Sequence, residues 1–335
     1  MRLGAFSIVE ENGTGSERDR YGEVIELAEA ADRLGLESFW VAEHHFQPGG
    51  LCPSPAVLLA AIAARTHRVR LGSLVSVLPF HEPVELAEQY ALVDRLSGGR
   101  LNFGVGSGYV PAELEGFGLN AETKRERFDR SLTTIRRAWA GEAVRTERDG
   151  SAPVRLNLRP VTLPHPPIWV AVQRREALPY VASQGFSVAL IPYATLSGLE
   201  ELAAEVRDFR AALPPGSTAR VAAAFHIYAG GEASVGLRAL QGYLDSRRTT
   251  GSVHYERKVA HDPSQADAHA IAASRLAFAG RPAEFAAWAR SIRDTGVDEL
   301  LGIFDFGGLP ISESIRSMEA AQGALGQTEG HAGSM

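Results

Sequence analysis

The stretch SFWVAEHHF occupies residues 38–46. Its first five residues form a short, almost entirely apolar run, which is typical of a strand buried on both faces of a parallel sheet. Before them, in residues 21–36, apolar side chains recur at helical spacing and Gly35 closes the pattern. An amphipathic helix followed directly by a buried strand predicts a chain built from repeated βα units.

The same alternation continues along the chain. Strand-like runs occur at residues 1–6, 38–42, 70–78, 101–105, 168–172, 187–191, 221–228 and 299–304. Further helical patterns occur at residues 57–64, 83–96, 127–140, 199–212, 237–244, 283–294 and 311–325. Buried strands that alternate with helices in this way predict an α/β fold, a (β/α)8 TIM barrel that forms a single domain over residues 1–325.

Two polar stretches are longer than barrel loops usually are. Residues 145–167 follow the fourth helix and residues 246–270 lie in the seventh βα unit, and both are expected to be surface insertions. The second insertion is the predicted lid of the barrel mouth. Residues 326–335 are expected to form a disordered tail.

The composition limits the possible partners and location. The formal net charge of -6 disfavours nucleic acid and anionic membranes, because both are bound by surfaces rich in Lys and Arg. Cys52 is the only cysteine, so an internal disulfide cannot form, which suits a reducing compartment. The sequence has neither a signal-peptide pattern nor an apolar run of roughly 20 residues. We therefore expect a cytoplasmic protein with no nucleic-acid and no membrane partner.

Polar residues at the ends of the predicted strands are the candidate site, because barrel enzymes carry their active sites where strands end and the next loops begin. Strand two is followed by Glu43, His44 and His45, strand three ends near Ser76, Leu78 and His81, and strand four is followed by Ser107, Gly108 and Tyr109. After strands five, six and eight come Gln173, Arg174, Arg175, Tyr193 and Asp305. These side chains are expected to converge on one rim.

The triplet Glu43-His44-His45 is the strongest candidate for chemistry. Adjacent ionisable residues at the end of a buried strand are costly to desolvate unless they serve one another or a ligand. A metal site is the main alternative, because His and Glu are common metal ligands. Neighbouring side chains on a strand point to opposite faces, so His44 and His45 are poorly placed to chelate one ion. We therefore expect no metal.

The glycine-rich stretch 104–108 is a second candidate feature. Its glycines fall at alternate positions and do not match the Rossmann pattern G-x-G-x-x-G. Small residues after a barrel strand still permit close approach by a phosphate or a ring, and Arg174 and Arg175 would supply a charge-assisted clamp. A tight turn and a solvated pair of arginines are equally compatible with these features.

Several segments, in their order and spacing, resemble the bacterial-luciferase-like superfamily of flavin-dependent oxidoreductases and monooxygenases. They are residues 39–46, 71–83, 96–106, 280–284 and 294–297, and the resemblance extends from about residue 1 to residue 325. It implies a barrel that binds reduced FMN (FMNH2), or in some branches the deazaflavin F420, across its strand ends. It also implies a non-prolyl cis peptide at Ser73-Leu74 in strand three, which supports the ring.

The resemblance also implies residue roles. His44 is the expected acid–base residue, and Glu43 and His45 are further catalytic candidates. The expected cofactor-binding residues are Ser73, Leu74, Ser107, Gly108, Tyr109, Gln173, Arg174 and Arg175, and the expected substrate-pocket residues are Phe46, Leu78 and Tyr193. Luciferase holds the phosphate with an Arg after strand four and a Glu-Ser pair after strand five, whereas this chain has Ser107 and Gln173-Arg174 there. Arg174 or Arg175 would replace the missing arginine.

The function implied by the resemblance is that of a two-component monooxygenase. A separate flavin reductase supplies FMNH2, O2 forms a flavin hydroperoxide, and a small, largely apolar molecule such as a secondary metabolite is oxidised. Family members commonly form homodimers through helices of the first half, and we expect a homodimer here. Three alternatives stay open: F420-dependent hydride transfer, a non-catalytic flavin-binding barrel and metal-dependent hydrolysis.

Overall fold

The computed structural model describes residues 1–11, 17–47, 49–146, 152–249 and 259–330. Its centre is a parallel barrel formed by β1 (Arg2–Ser7), β2 (Ser38–Val41), β3 (Arg70–Ser73), β4 (Leu101–Gly106), β5 (Ile168–Val172), β6 (Ser187–Leu190), β7 (Val221–Tyr228) and β8 (Glu299–Ile303). Each strand pairs with the strands before and after it. Because β8 pairs with both β7 and β1, the sheet is closed. The predicted TIM barrel is confirmed.

The predicted third strand is interrupted. It ends at Ser73 and resumes as the short strand Ser76–Val77, which pairs with the end of β4. The non-prolyl cis peptide bond joins Leu74 and Val75, so its predicted position at Ser73-Leu74 is wrong by one bond. A second short strand, Ala277–Ala279, pairs with the end of β7 and was not predicted.

The helices pack against one another around the barrel. They are α1 (Glu17–Leu34), α2 (Pro55–Ala63), α3 (Pro83–Leu96), α4 (Pro111–Gly116), α5 (Lys124–Trp139), α6 (Leu178–Ser183), α7 (Pro192–Thr195), α8 (Leu199–Ala211) and α9 (Ala233–Thr249), followed by Ala268–Ala273, Pro282–Arg293 and Ile311–Gly330. In the described residues, no helix combines the length and the apolar character needed to span a membrane. The sequence did not predict α4, α6 and α7, because four to six residues are too few to show a helical period.

Aromatic side chains fill the barrel interior. Trp40 of β2 and Trp169 of β5 are buried and pack edge to face, with ring centroids 5.4 Å apart. A Cβ added at Gly72 would lie 2.1 Å from the Trp40 ring, and one at Gly104 would lie 1.8 Å from the Ser73 carbonyl oxygen. Gly72 therefore makes room for the Trp40 indole and Gly104 for the Ser73 backbone, and this packing closes the barrel beneath the carboxyl ends of its strands.

The two predicted insertions and the tail are only partly described. The segment before β5 is fixed to α3 by the buried carboxylate of Asp94, which accepts hydrogen bonds from the amides of Val161 (2.8 Å) and Thr162 (2.9 Å). The predicted lid begins inside α9, which runs to Thr249, and residues 250–258 lie outside the described residues. The last helix continues to Gly330, past the predicted start of the tail at residue 326, and residues 331–335 are not described.

Candidate active site

A cavity of about 560 Å³ lies at the carboxyl ends of the barrel strands. This volume is within the range of small-molecule sites. The residues of the predicted site that line it are Glu43, His44, Leu74, Ser107, Gly108, Tyr109, Gln173, Arg174 and Tyr193. Barrel closure thus brings together side chains that follow β2, β3, β4, β5 and β6.

Two predicted cofactor-binding residues lie elsewhere. Ser73 is fully buried in β3, and its hydroxyl donates to the Gly104 carbonyl oxygen at 2.8 Å. Arg175 begins a short 3-10 turn on the outer surface and forms an ion pair with Asp208 of α8 at 2.5 Å. Adjacent residues at the end of β5 therefore have different surroundings, and only Arg174 of the arginine pair lines the cavity.

Two predicted substrate-pocket residues do not line the cavity, contrary to the prediction. The backbone of Phe46 has φ +58°, and its side chain is 67% exposed and packs on Gly116 of α4. Leu78 is fully buried in the core, because the chain turns into a 3-10 helix there instead of extending β3. Tyr193 is the one predicted pocket residue at the cavity wall.

Glu113 of α4 holds His44 in place. Its Oε1 lies 2.9 Å from His44 Nδ1 and accepts hydrogen bonds from the His45 amide at 3.0 Å and from Gln47 Nε2 at 2.8 Å. Burial opposes ionisation of Glu113, but the hydrogen bond from His44 and its charge, together with the other two donors, lower the pKa of this carboxyl. When the His44 ring is neutral, a carboxylate at Nδ1 favours the tautomer with its proton on that nitrogen, which leaves Nε2 as a hydrogen-bond acceptor.

Glu43 is an anchor between two loops. Its Oε1 lies 3.1 Å from His45 Nε2 and 2.9 Å from His81 Nε2, while Oε2 accepts from the Ser76 hydroxyl (3.2 Å) and the Val77 amide (3.0 Å). Burial favours the neutral acid, but these donors outweigh it and lower the pKa of Glu43 to about 2. At neutral pH this carboxylate is ionised and satisfied, which suits positioning and not proton donation.

His45 points away from the cavity. Its ring packs edge to face on Phe117, with centroids 4.8 Å apart, and on Phe80, with centroids 5.6 Å apart. His44 lines the cavity, whereas His45 joins this aromatic cluster. The neighbouring histidines therefore serve different surroundings, as the alternation of side chains along an extended chain requires.

Two cationic side chains stand together at the β4–β5 side of the cavity. Lys124, at the start of α5, donates from Nζ to the Gly108 carbonyl oxygen at 2.6 Å. Its pKa is lowered by burial and by the nearby positive charge of Arg174. Ser107 and the backbone of Gly108, which has φ +78°, complete this part of the wall. Paired cations next to a glycine turn form a site for an anionic group.

The α9 side of the cavity carries a hydrogen-bonded chain of polar groups. Arg247 Nε donates to the Tyr243 hydroxyl at 3.1 Å, and the hydroxyl oxygens of Tyr243 and Tyr193 are 2.5 Å apart. All three residues are buried, and all three line the cavity.

The sequence did not identify Glu113, Lys124, Tyr243 or Arg247 as site residues. Glu113 was detectable in principle, because Pro111 followed by acidic residues is typical of a helix N-terminus directly after a strand-end loop. Lys124 approaches Arg174 of the next βα unit, and Arg247 meets the Gly49 carbonyl oxygen across 198 positions. No local pattern marks such contacts.

The sequence matches a known protein family and is similar to several characterised proteins. A family described as luciferase-like monooxygenase matches residues 1–303. The oxygenase component of flavin-dependent trigonelline monooxygenase from Acinetobacter baylyi is 32% identical over 185 residues, which are 53% of this chain and 50% of that protein. The chain thus aligns over about half the length of the curated relatives it matches.

Solved structures match over nearly the full chain. The monooxygenase RslO1 from Streptomyces bottropensis has a TM-score of 0.80 and 28% identity, covering 98% of this chain and 100% of its own. The oxygenating constituent of 3,6-diketocamphane monooxygenase from Pseudomonas putida, solved with FMN, has a TM-score of 0.79 and 20% identity, covering 97% of each chain. At that identity the second likeness shows a shared fold.

Replacing Glu43 with Gln tests its role as an ionised anchor. Because its pKa of about 2 lies below the ordinary value of 4.5, ionisation of Glu43 stabilises the folded chain above about pH 4.5, and this contribution is lost as the pH falls toward 2. The shift corresponds to about 3 kcal/mol at neutral pH. We expect Glu43→Gln to unfold at lower urea concentration than the wild type at pH 7, with a difference that shrinks at pH 3.

The control for this measurement is Glu115→Gln, because Glu115 is exposed on α4 and carries no comparable set of donors among the described residues. It is expected to unfold like the wild type at each pH. A stability difference for Glu43→Gln that stays constant from pH 7 to pH 3 would contradict an ionised, hydrogen-bonded Glu43.

Proposed function

The chain belongs to the luciferase-like monooxygenase family, and on this premise we propose that it is the oxygenase component of a two-component monooxygenase. It would take up reduced FMN from a separate flavin reductase and use O2 to oxidise a small, largely apolar organic molecule in the cytoplasm. The proposal is carried by the lining of one cavity. Its wall contains two cationic side chains, Lys124 and Arg174, which form its cationic corner. The same wall contains apolar side chains and His44, which Glu113 holds in place.

The cavity fits the parts of FMN. Lys124, Arg174, Ser107 and the Gly108 backbone would hold the phosphate, because two cations and a glycine turn meet there. Leu74 and Val75, next to the interruption of β3, offer an apolar surface for the flavin ring. When bound and reduced, the flavin supplies the electrons for activation of O2.

The remaining wall would exclude water and receive the carbon skeleton of the substrate. Apolar side chains from several strands and helices form it, namely Phe6, Ile8, Ala42, Phe128, Val170, Phe186 and Ile303. Exclusion of water protects a reactive oxygen species from unproductive breakdown. His44 would accept or return a proton at Nε2, with its Nδ1 proton held by Glu113.

The partners follow from the same premise. The trigonelline relative is named as an oxygenase component, which supports a separate reductase as the source of reduced FMN. Exposed apolar side chains on neighbouring helices α2 and α3, namely Val57, Leu92 and Leu96, support a homodimer through the helices of the first half.

Arginine neighbours at the end of β5 give a matched test of cofactor binding. We expect Arg174→Gln to weaken FMN binding by about tenfold, since it removes one charge-assisted contact at an exposed position. Arg175→Gln removes the same charge outside the cavity and is expected to leave FMN binding unchanged. Fluorescence titration with FMN and with riboflavin, which lacks the phosphate, measures both effects.

Riboflavin is expected to bind all three proteins equally. Equal losses of FMN affinity in Arg174→Gln and Arg175→Gln would remove Arg174 from the phosphate site. Tighter binding of the deazaflavin F420 than of FMN would reverse the cofactor assignment.

The pairing of Glu113 with His44 gives a test of proton handling. His44→Asn is expected to slow aerobic reoxidation of the protein loaded with reduced FMN by about 100-fold, the size of a general acid–base contribution, and to flatten its pH profile. Glu113→Gln keeps the ring but loosens it, so we expect a loss of about tenfold with the pH dependence retained. Stopped-flow absorbance between pH 6 and 9 measures the rates.

Glu115→Gln, on the same helix but exposed, is the matched control and is expected to behave like the wild type. An unchanged rate and pH profile in His44→Asn would exclude His44 as the acid–base residue.

The apolar surface of α2 and α3 predicts the assembly state. The wild type is expected to sediment as a dimer, and Leu92→Glu combined with Leu96→Glu is expected to yield a folded monomer, because two charges would be buried in the interface. Analytical ultracentrifugation over a range of protein concentrations measures this. A monomeric wild type would end the proposal of a homodimer.

A further inference from the structure

The Tyr109 hydroxyl is a polar group of the cavity that the protein itself does not use. Tyr109 follows β4, and its side chain lines the cavity. Among the described residues, its hydroxyl takes part in no hydrogen bond, although tyrosine hydroxyls that lie inside a protein usually have a partner. The hydroxyl is therefore available to a molecule that enters the cavity.

The other tyrosines of the cavity wall show the contrast. Tyr180 donates from its hydroxyl to Asp129 Oδ1 at 3.1 Å, and the hydroxyl oxygens of Tyr193 and Tyr243 lie 2.5 Å apart. These three hydroxyls are held by protein groups. Of the four tyrosines that line the cavity in the described part of the chain, only Tyr109 has a hydroxyl without such a contact.

The Tyr109 side chain extends toward His44 and the α9 side of the cavity. The rings of Tyr109 and His44 meet edge to face, with centroids 6.2 Å apart and planes at 85°. The charges that act on the phenol are those of Arg247 on α9 and of Glu113, the carboxylate partner of His44. The backbone of Tyr109 follows Gly108 at the cationic corner, whereas its hydroxyl is directed at the candidate acid–base residue.

The phenol of Tyr109 is a neutral donor. Burial raises its pKa above the ordinary value, so the hydroxyl keeps its proton at neutral pH. The charges of Arg247 and Glu113 have opposite signs, so their effects on a ligand atom beside the hydroxyl offset each other in part. These surroundings suit an uncharged oxygen that accepts a hydrogen bond.

We propose that the Tyr109 hydroxyl binds the substrate by donating a hydrogen bond to one of its uncharged oxygens, a carbonyl or hydroxyl oxygen, beside His44. The proposal rests on the proposed function, because it assumes that an organic substrate enters this cavity. It differs from the cofactor-binding role that the resemblance implies for Tyr109. One fixed donor orients a molecule that the rest of the wall contacts only through apolar groups. The substrate class is thereby narrowed to apolar molecules with an oxygen acceptor.

The test compares two probes that share their shape and differ in one atom. Protein saturated with oxidised FMN is titrated calorimetrically with acetophenone and with α-methylstyrene, in which a CH2 group replaces the carbonyl oxygen. Tyr109→Phe removes the hydroxyl and keeps the ring. We expect this variant to bind acetophenone about fivefold more weakly than the wild type, the size of one neutral hydrogen bond, and to bind α-methylstyrene nearly unchanged.

A second variant and a second readout separate a direct contact from a change in packing. Tyr180→Phe removes a hydroxyl from the same cavity wall, but one that already donates to Asp129, and it is expected to bind both probes like the wild type. The infrared carbonyl stretch of bound 13C-labelled acetophenone is expected at a lower frequency in the wild type than in Tyr109→Phe, because a hydrogen bond weakens the C=O bond.

Two results would overturn the assignment of Tyr109. One is an equal effect of Tyr109→Phe on both probes, or none, with an unchanged carbonyl stretch. The other is a loss of FMN affinity in Tyr109→Phe without a selective loss of acetophenone affinity, which would assign the hydroxyl to the cofactor. Failure of the proposed function is seen separately: if the wild type does not bind FMN, the same titrations are made on the protein alone, and selectivity for acetophenone still decides.

Discussion

The pairing of β8 with both β7 and β1 is the constraint on which the rest of the molecule depends. A closed parallel sheet has no edge, and all its strands end at one rim, so residues separated by two hundred positions in sequence meet there. His44 after β2 and Arg247 on the helix after β7 share a cavity only because the sheet closes. The packed indoles below leave the rim as the place where side chains remain available for a ligand.

The three residues that follow β2, Glu43, His44 and His45, form separate hydrogen-bonded groups around two carboxylates, Glu43 and Glu113. Glu43 is held ionised by donors from the loop after β3 and from His45 and His81, so it fixes the relative position of two loops. Glu113 comes from α4 and holds His44 at Nδ1. His44 and His45 thus each have a carboxylate partner of their own, Glu113 and Glu43 respectively. The costs of desolvating three ionisable groups are offset locally, and of the two histidines only His44 lines the cavity.

The strands were predictable because burial on both faces produces apolar runs, and the rim residues followed from where those runs end. The wrong predictions for side-chain placement arose where a local change in backbone conformation decides which way a side chain points. A left-handed residue at Phe46 turns its ring outward onto α4, and the break after Ser73 puts Leu78 in the core. The sequence gives no reason to distinguish the neighbours Arg174 and Arg175. In the structure a 3-10 turn begins at Arg175, so the two side chains have different surroundings.

The missed residues share a different cause. Glu113 meets His44 across 69 positions, and Arg247 meets Gly49 across 198, so no window of sequence contains either contact.

The cationic residues of the cavity wall differ in exposure. Arg174 is exposed and Lys124 half-buried, so water and salt screen their attraction for an anion. A weak hold of that kind would suit the proposed reduced FMN, which would arrive from a separate reductase and leave again. Arg247 is buried, where a hydrogen bond to a charged group is stronger and an unmatched partner is more costly. Exchange of the proposed cofactor would therefore depend on the exposed corner, whereas the hydrogen bonds from Arg247 to Tyr243 and Gly49 hold the opposite part of the cavity wall in place.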